Sequence, residues 1–63
     1  MTTESLAREL ARAEAASAKA AEARSRLPPG SSRARVTTAN ARWARAAEHR
    51  DDVARRLTEA GKA

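Results

Sequence analysis

The sequence predicts an all-α fold: an antiparallel two-helix hairpin of coiled-coil type, self-associating into a four-helix bundle. Three observations predict it. Apolar and small residues recur at alternating steps of four and three along both halves of the chain. One break, LPPGSS at residues 27–32, separates the halves. Folding the chain about that break brings the two apolar seams into register.

The first helix is expected over about residues 4–27, a stretch without Gly or Pro. Thr3 is a candidate cap, and Glu4 places a negative charge in the first turn, where the helix dipole favours it. Leu27 precedes Pro28, which disfavours helical geometry for Leu27 and ends the segment. The turn is expected over 28–32, with Gly30 supplying conformational freedom. Ser31 or Ser32 can cap a second helix over about 33–60, with Gly61 as its stop. RVTT, residues 35–38, is poor helix former. It offers Thr37 or Thr38 as a later start, which would leave residues 31–37 extended.

The seam of the first helix reads Leu6, Leu10, Ala13, Ser17, Ala20, Arg24, Leu27. That of the second reads Val36, Ala39, Trp43, Ala46, Arg50, Val53, Leu57, Ala60. Opposed positions sum to 63, so Leu27 faces Val36, Arg24 faces Ala39, Ala20 faces Trp43, Ala13 faces Arg50, Leu10 faces Val53 and Leu6 faces Leu57. Large residues meet small ones in the middle, and apolar residues meet at both ends. The expected hairpin core is Leu6, Leu10, Ala20, Leu27, Val36, Trp43, Val53 and Leu57.

A second alanine stripe runs beside each seam: Ala7, Ala11, Ala18 and Ala21, then Ala44, Ala47 and Ala54. A hairpin alone would leave it in water, and small side chains let helices approach closely. These alanines are therefore the candidate interface of a homo-oligomer, a dimer first, or of a helical protein partner. The size of the chain supports this. Beyond alanine, its larger apolar side chains are only Met1, Leu6, Leu10, Leu27, Val36, Trp43, Val53 and Leu57. So sparse a core is usually completed by association.

The 63 residues carry 13 Lys and Arg against 8 Asp and Glu, a net charge of +5. The excess is local. Between residues 23 and 47 lie Arg24, Arg26, Arg33, Arg35, Arg42 and Arg45 and no acid, while bases and acids nearly balance on either side. The hairpin would carry them as a basic tip. Arginine suits bidentate contacts to phosphate or carboxylate, and Ser31 and Ser32 add hydroxyls at the start of the second helix. These eight residues are the candidate anion or nucleic-acid site. The plainer reading of the same tip is a solvated basic end. Elsewhere the acid-before-base pairs Glu4–Arg8, Glu22–Arg26, Asp51–Arg55 and Asp52–Arg56, four residues apart, are solvated-face chemistry.

Arg50 on the seam is expected to reach Glu9 or Glu14 and pin the register, to bend outward, or to meet a partner chain. Arg24 is expected to snorkel outward. Trp43 reads as the largest core side chain, and His49 as a surface residue. With no cysteine and one histidine, no metal site is expected, and no cofactor. PPGSS lacks the glycine spacing and lysine of a nucleotide-binding loop, and a two-helix rod encloses no pocket, so no enzyme is expected. No apolar run is long enough to span a membrane. MTTESLAREL lacks a basic stretch followed by an apolar one, so no signal peptide is expected. A cytoplasmic location is the default expectation, and the richness in alanine and arginine is that of a high-GC bacterial gene. The function expected is an interaction or oligomerisation module, with phosphate-backbone binding at the tip as the alternative.

Overall fold

The computed structural model describes residues 2–62; Met1, counted above among the larger apolar side chains, lies outside them. The chain forms two helices, α1 (Thr3–Ser25) and α2 (Arg33–Lys62), packed against each other as a hairpin. A helix of 30 residues is about 45 Å long at 1.5 Å per residue. The molecule extends 50 × 14 × 13 Å, so the two helices lie side by side along one rod.

The caps decide the boundaries. The hydroxyl of Thr2, not Thr3, accepts from the Ser5 backbone N–H at 3.1 Å, and the Thr2 carbonyl takes the first helical bond, from Leu6. α1 ends at Ser25, two residues before the predicted limit. The Arg26 N–H still reaches the Glu22 carbonyl at 3.0 Å and the Leu27 N–H the Arg24 carbonyl at 3.4 Å, but Pro28 forces Leu27 out of helical geometry. The chain then reverses through Pro28–Ser31. The Ser31 N–H and hydroxyl both donate to the Pro28 carbonyl, at 3.1 and 2.6 Å. Pro29 and Gly30 occupy the two central positions, and Gly30 has φ of 85°, the pattern of a type II turn. A Cβ on Gly30 would meet nothing within 4 Å, so backbone conformation alone selects glycine there.

Ser32 caps α2: its hydroxyl accepts from the Arg35 N–H at 3.2 Å and its carbonyl from Val36 at 3.1 Å. Residues 33–38 are therefore helical, and the later start at Thr37 or Thr38 is not used. Gly61 does not stop the helix, which continues to Lys62. Gly61 has no left-handed φ and so provides no stop of the kind expected.

The core lies away from the turn. Val53 is completely buried, and Leu6, Ala13, Ser17 and Ala47 are buried as well. Leu10, Ala20, Leu27, Trp43, Ala46 and Leu57 are half-buried. Val36, predicted to close the seam against Leu27, is instead 39% exposed. The reason is geometric: α1 has already ended at Ser25, so no helical turn covers the start of α2.

The second alanine stripe is divided. Ala47 is buried within the hairpin, and Ala21 and Ala54 are half-buried, so these three do not stand free in water as the sequence suggested. All seven stripe alanines directly follow a seam residue, but only these three are covered by the packing of the two helices. Ala7, Ala11, Ala18 and Ala44 are exposed.

One buried polar group lies at the helix interface. The Ser17 hydroxyl donates to the Glu14 carbonyl at 3.1 Å and accepts from Arg50 Nη1 at 3.3 Å, across 33 residues of chain. Arg50 also holds Asp51 at 3.1 Å and reaches neither Glu9 nor Glu14. Glu9 instead faces His49, with Oε1 and Nε2 3.9 Å apart. Of the anticipated pairs along one helix, Glu4–Arg8 (3.3 Å), Glu22–Arg26 (2.6 Å) and Asp52–Arg56 (2.9 Å) form. Asp51–Arg55 does not: Arg55 turns to Asp52, and Arg50 takes Asp51.

Two measurements follow from this packing. Val53→Ala should lower the unfolding free energy by about 2 kcal/mol, a buried-side-chain loss with its cavity. Val36→Ala should cost less than about 0.5 kcal/mol, as surface changes do. Urea unfolding followed by circular dichroism distinguishes them, and equal costs would contradict an open turn end. Asp52 concerns acid stability. Its hydrogen bond from Arg55, with the charges of Arg56, Arg55 and His49, holds its carboxyl below the ordinary range. A carboxyl with a depressed folded pKa adds stability that is full above its unfolded value, about 3.9 for aspartate. That stability is lost as pH falls through the folded value. Helicity should therefore decline below about pH 4, and Asp52→Asn should flatten that part of the acid titration.

Candidate functional site

The six arginines of the predicted basic tip have different surroundings. Arg26 is paired with Glu22. The Arg24 guanidinium lies over the Trp43 ring, 4.4 Å from its centroid, a cation–π contact rather than an outward reach. Arg33, Arg35, Arg42 and Arg45 hold no ion pair among the described residues. Ser31 and Ser32 are committed to the turn and to the cap of α2. The tip therefore has four free arginines.

The positions of Arg24 and Arg50 have a common cause. A helical side chain leans towards the N-terminus of its own helix. In an antiparallel pair this carries a long side chain one turn past the residue opposite. Arg24, set opposite Ala39, reaches Trp43; Arg50, set opposite Ala13, reaches Ser17. The equal offsets are those that opposed positions summing to 63 would give.

The free charge borders a groove. Between the helices at the turn end lies an open trough of about 670 Å³. On α1 it is lined by Ala16, Ala20 and Ala23, with Leu27 beyond the helix end. α2 contributes Ala34, Thr38 and Ala39, and the cationic lining is Lys19, Arg35 and Arg42. Six of these residues, Ala16, Lys19, Ala23, Arg35, Thr38 and Arg42, stand directly before a seam residue, and Ala21, Ala47 and Ala54 directly after one. The hairpin is thus closed along one flank and open along the other. Alanine side chains are too short to fill the space between two helix backbones on the open side.

The trough changes character towards the free end. There Ser5, Glu9, Arg12, Ala13, Ala16 and His49 line a smaller hollow, which the Glu9–His49 contact bridges. The apolar, cation-bordered part is confined to the turn end.

The sequence reading named Arg35, Arg42, Leu27 and Ala20 as tip or core residues, and the structure brings these four into one groove. It places Arg33 and Arg45 outside that lining and diverts Arg24 and Arg26 to internal partners. Lys19, Ala16, Ala23, Ala34, Thr38 and Ala39 were missed. The signal was the contrast between the two flanks of the seam: one carries Ala21, Ala47 and Ala54, the other Glu9, Arg35, Arg42 and His49.

Among the described residues no group of three His, Cys, Asp or Glu side chains gathers as metal ligands, and no helix is long and apolar enough to cross a membrane. No protein-family model, curated protein or solved structure matches the chain.

Proposed function

We propose that this chain is a non-enzymatic helical-hairpin interaction module, assembling through helix faces that its own fold leaves uncovered. The observation that carries this reading is the open turn end, where Leu27 is half-buried, Val36 is 39% exposed and an alanine-floored groove separates the helices. A third helix seated there would remove that apolar surface from water, which favours association. Small lining residues would allow close approach. The exposed Ala7, Ala11, Ala18 and Ala44 lie on the other flank and offer a separate face, on which a second copy can pack to make a four-helix bundle. The two surfaces do not compete.

An anionic apolar dye, 8-anilino-1-naphthalenesulfonate, tests the groove. It should fluoresce with the native hairpin, and Ala23→Glu combined with Ala34→Glu should abolish the signal while circular dichroism stays unchanged. Sedimentation equilibrium tests the second face. The mass should be twice the 6.7 kDa of one chain, and Ala18→Glu with Ala44→Glu should return it to that value. A native chain that stays at 6.7 kDa and binds no dye would refute the reading.

A second reading rests on the four arginines free of ion pairs, which suit phosphate contacts. If Arg33, Arg35, Arg42 and Arg45 bind a DNA backbone, log K should fall with log salt at a slope near −4, from about −0.9 per phosphate. Fluorescence anisotropy with a random-sequence duplex measures it. Absence of binding at low salt would exclude this reading.

A further inference from the structure

We propose that the turn-end groove takes an acidic amphipathic helix of a partner protein, completing a three-helix bundle; this rests on the interaction-module reading and specifies the partner's chemistry.

Three observations converge on that occupant. The first is shape. Ala16, Ala20 and Ala23 follow one another at steps of four and three along α1, with Leu27 beyond its end, and Arg35, Thr38, Ala39 and Arg42 at three, one and three along α2. These are the spacings of a single helix face. From Ala16 to the end of α1 at Ser25 is about 13.5 Å at the helical rise, the length of between two and three turns of a docked helix. The second is charge. Lys19 on α1 and Arg35 and Arg42 on α2 border the apolar floor, and none has an ion-pair partner among the described residues. Arg35 and Arg42 are seven residues apart, about 10.5 Å along the helix. Carboxylates at the same spacing on a parallel or antiparallel third helix would lie beside both, with apolar residues between them on the floor.

The third observation concerns the rival occupants. A second copy of this chain is a poor match. It carries +5, and its Glu4, Glu9, Glu22, Asp51 and Asp52 already hold bases. Its remaining acids, Glu14, Glu48 and Glu59, do not share a seven-residue stripe on one helix. Nucleic acid accounts for the cations but not for the floor. A phosphate backbone has no use for an alanine-lined trough, and the chain's lone tryptophan is already covered by Arg24.

The test uses three synthetic helices with leucine and alanine on one face. One carries glutamate at seven-residue spacing beside that face, one glutamine and one lysine. Each is labelled and titrated with the full chain by fluorescence anisotropy, and a random-sequence DNA duplex serves as a competitor. The glutamate helix should bind about tenfold tighter than the glutamine helix, with the lysine helix weaker still and the preference shrinking as salt rises. Arg35→Glu with Arg42→Glu should invert the order, so that the lysine helix binds best. Both side chains are exposed, and circular dichroism checks that the variant keeps its helicity. Equal binding of the glutamate and glutamine helices would overturn the acidic-partner inference while leaving the interaction module intact. Failure of all three helices to bind would overturn the inference, while the interaction module is judged by the dye and mass measurements. Tighter binding of the duplex than of any helix, lost in the same double variant, would assign the groove to nucleic acid and overturn the proposal.

Discussion

The peptide bond between Leu27 and Pro28 constrains this molecule more than any apolar contact. Proline's ring excludes helical geometry from the residue before it, so α1 ends at Ser25 with Arg26 as its last capped position. The chain then spends residues 26–32 on a turn and a cap before α2 begins. At the turn end α2 therefore starts with no helix beside it. Val36 is exposed for that reason, Leu27 covers the gap only in part, and the buried residues lie towards the free end. A tighter connection after a longer α1 would have placed a helical turn over Val36 and narrowed the trough.

A second asymmetry acts across the rod. On one flank of the seam stand Ala21, Ala47 and Ala54, which let the helices close; on the other stand long polar residues and the groove alanines. The closed flank buries Ala47. The open flank is bridged by Glu9 and His49 towards the free end and left without a bridge towards the turn. Arg50 belongs to neither flank. It reaches along the seam to Ser17, whose hydroxyl also satisfies the Glu14 carbonyl. A hydrogen bond to a charged group at so sparse an interface contributes about 1.5–3 kcal/mol, comparable to burying one valine. It also resists sliding of one helix past the other, which alanines alone would permit.

Much of the fold was legible from spacing. Alternating steps of three and four identify the residues that share a face, and Leu6, Ala13, Ser17 and Val53 are buried on that face. Spacing does not say how far the neighbouring helix extends, and so Val36 was assigned to the core when α1 stops short of it. Charge counting placed an arginine-rich segment at the tip, but it treated six side chains as equivalent. Their differences come from where each sits on its helix. Arg24 occupies a seam position and leans onto Trp43, Arg26 finds Glu22 one turn back, and Arg35 and Arg42 flank the seam at the groove. The choices between adjacent caps, Thr2 against Thr3 and Ser32 against Ser31, turn on hydrogen bonds of neighbouring hydroxyls that composition cannot separate.

The division of labour between the two ends follows from these facts. The free-end half pairs its acids internally, through Glu4 with Arg8, Glu9 with His49, Asp51 with Arg50 and Asp52 with Arg55 and Arg56. Exposed pairs of this kind contribute little to stability individually, about 0–1 kcal/mol each, but they leave few free acids to meet a base on another molecule. The turn end retains cations without partners beside uncovered apolar surface. Burial of alanine and leucine supplies association without direction, whereas unpaired arginines at fixed spacing reward one charge pattern and penalise its opposite. An apolar groove alone would accept many helices. On the partner proposed here, the same groove bordered by Lys19, Arg35 and Arg42 would discriminate among them, where the hairpin's own packing is weakest.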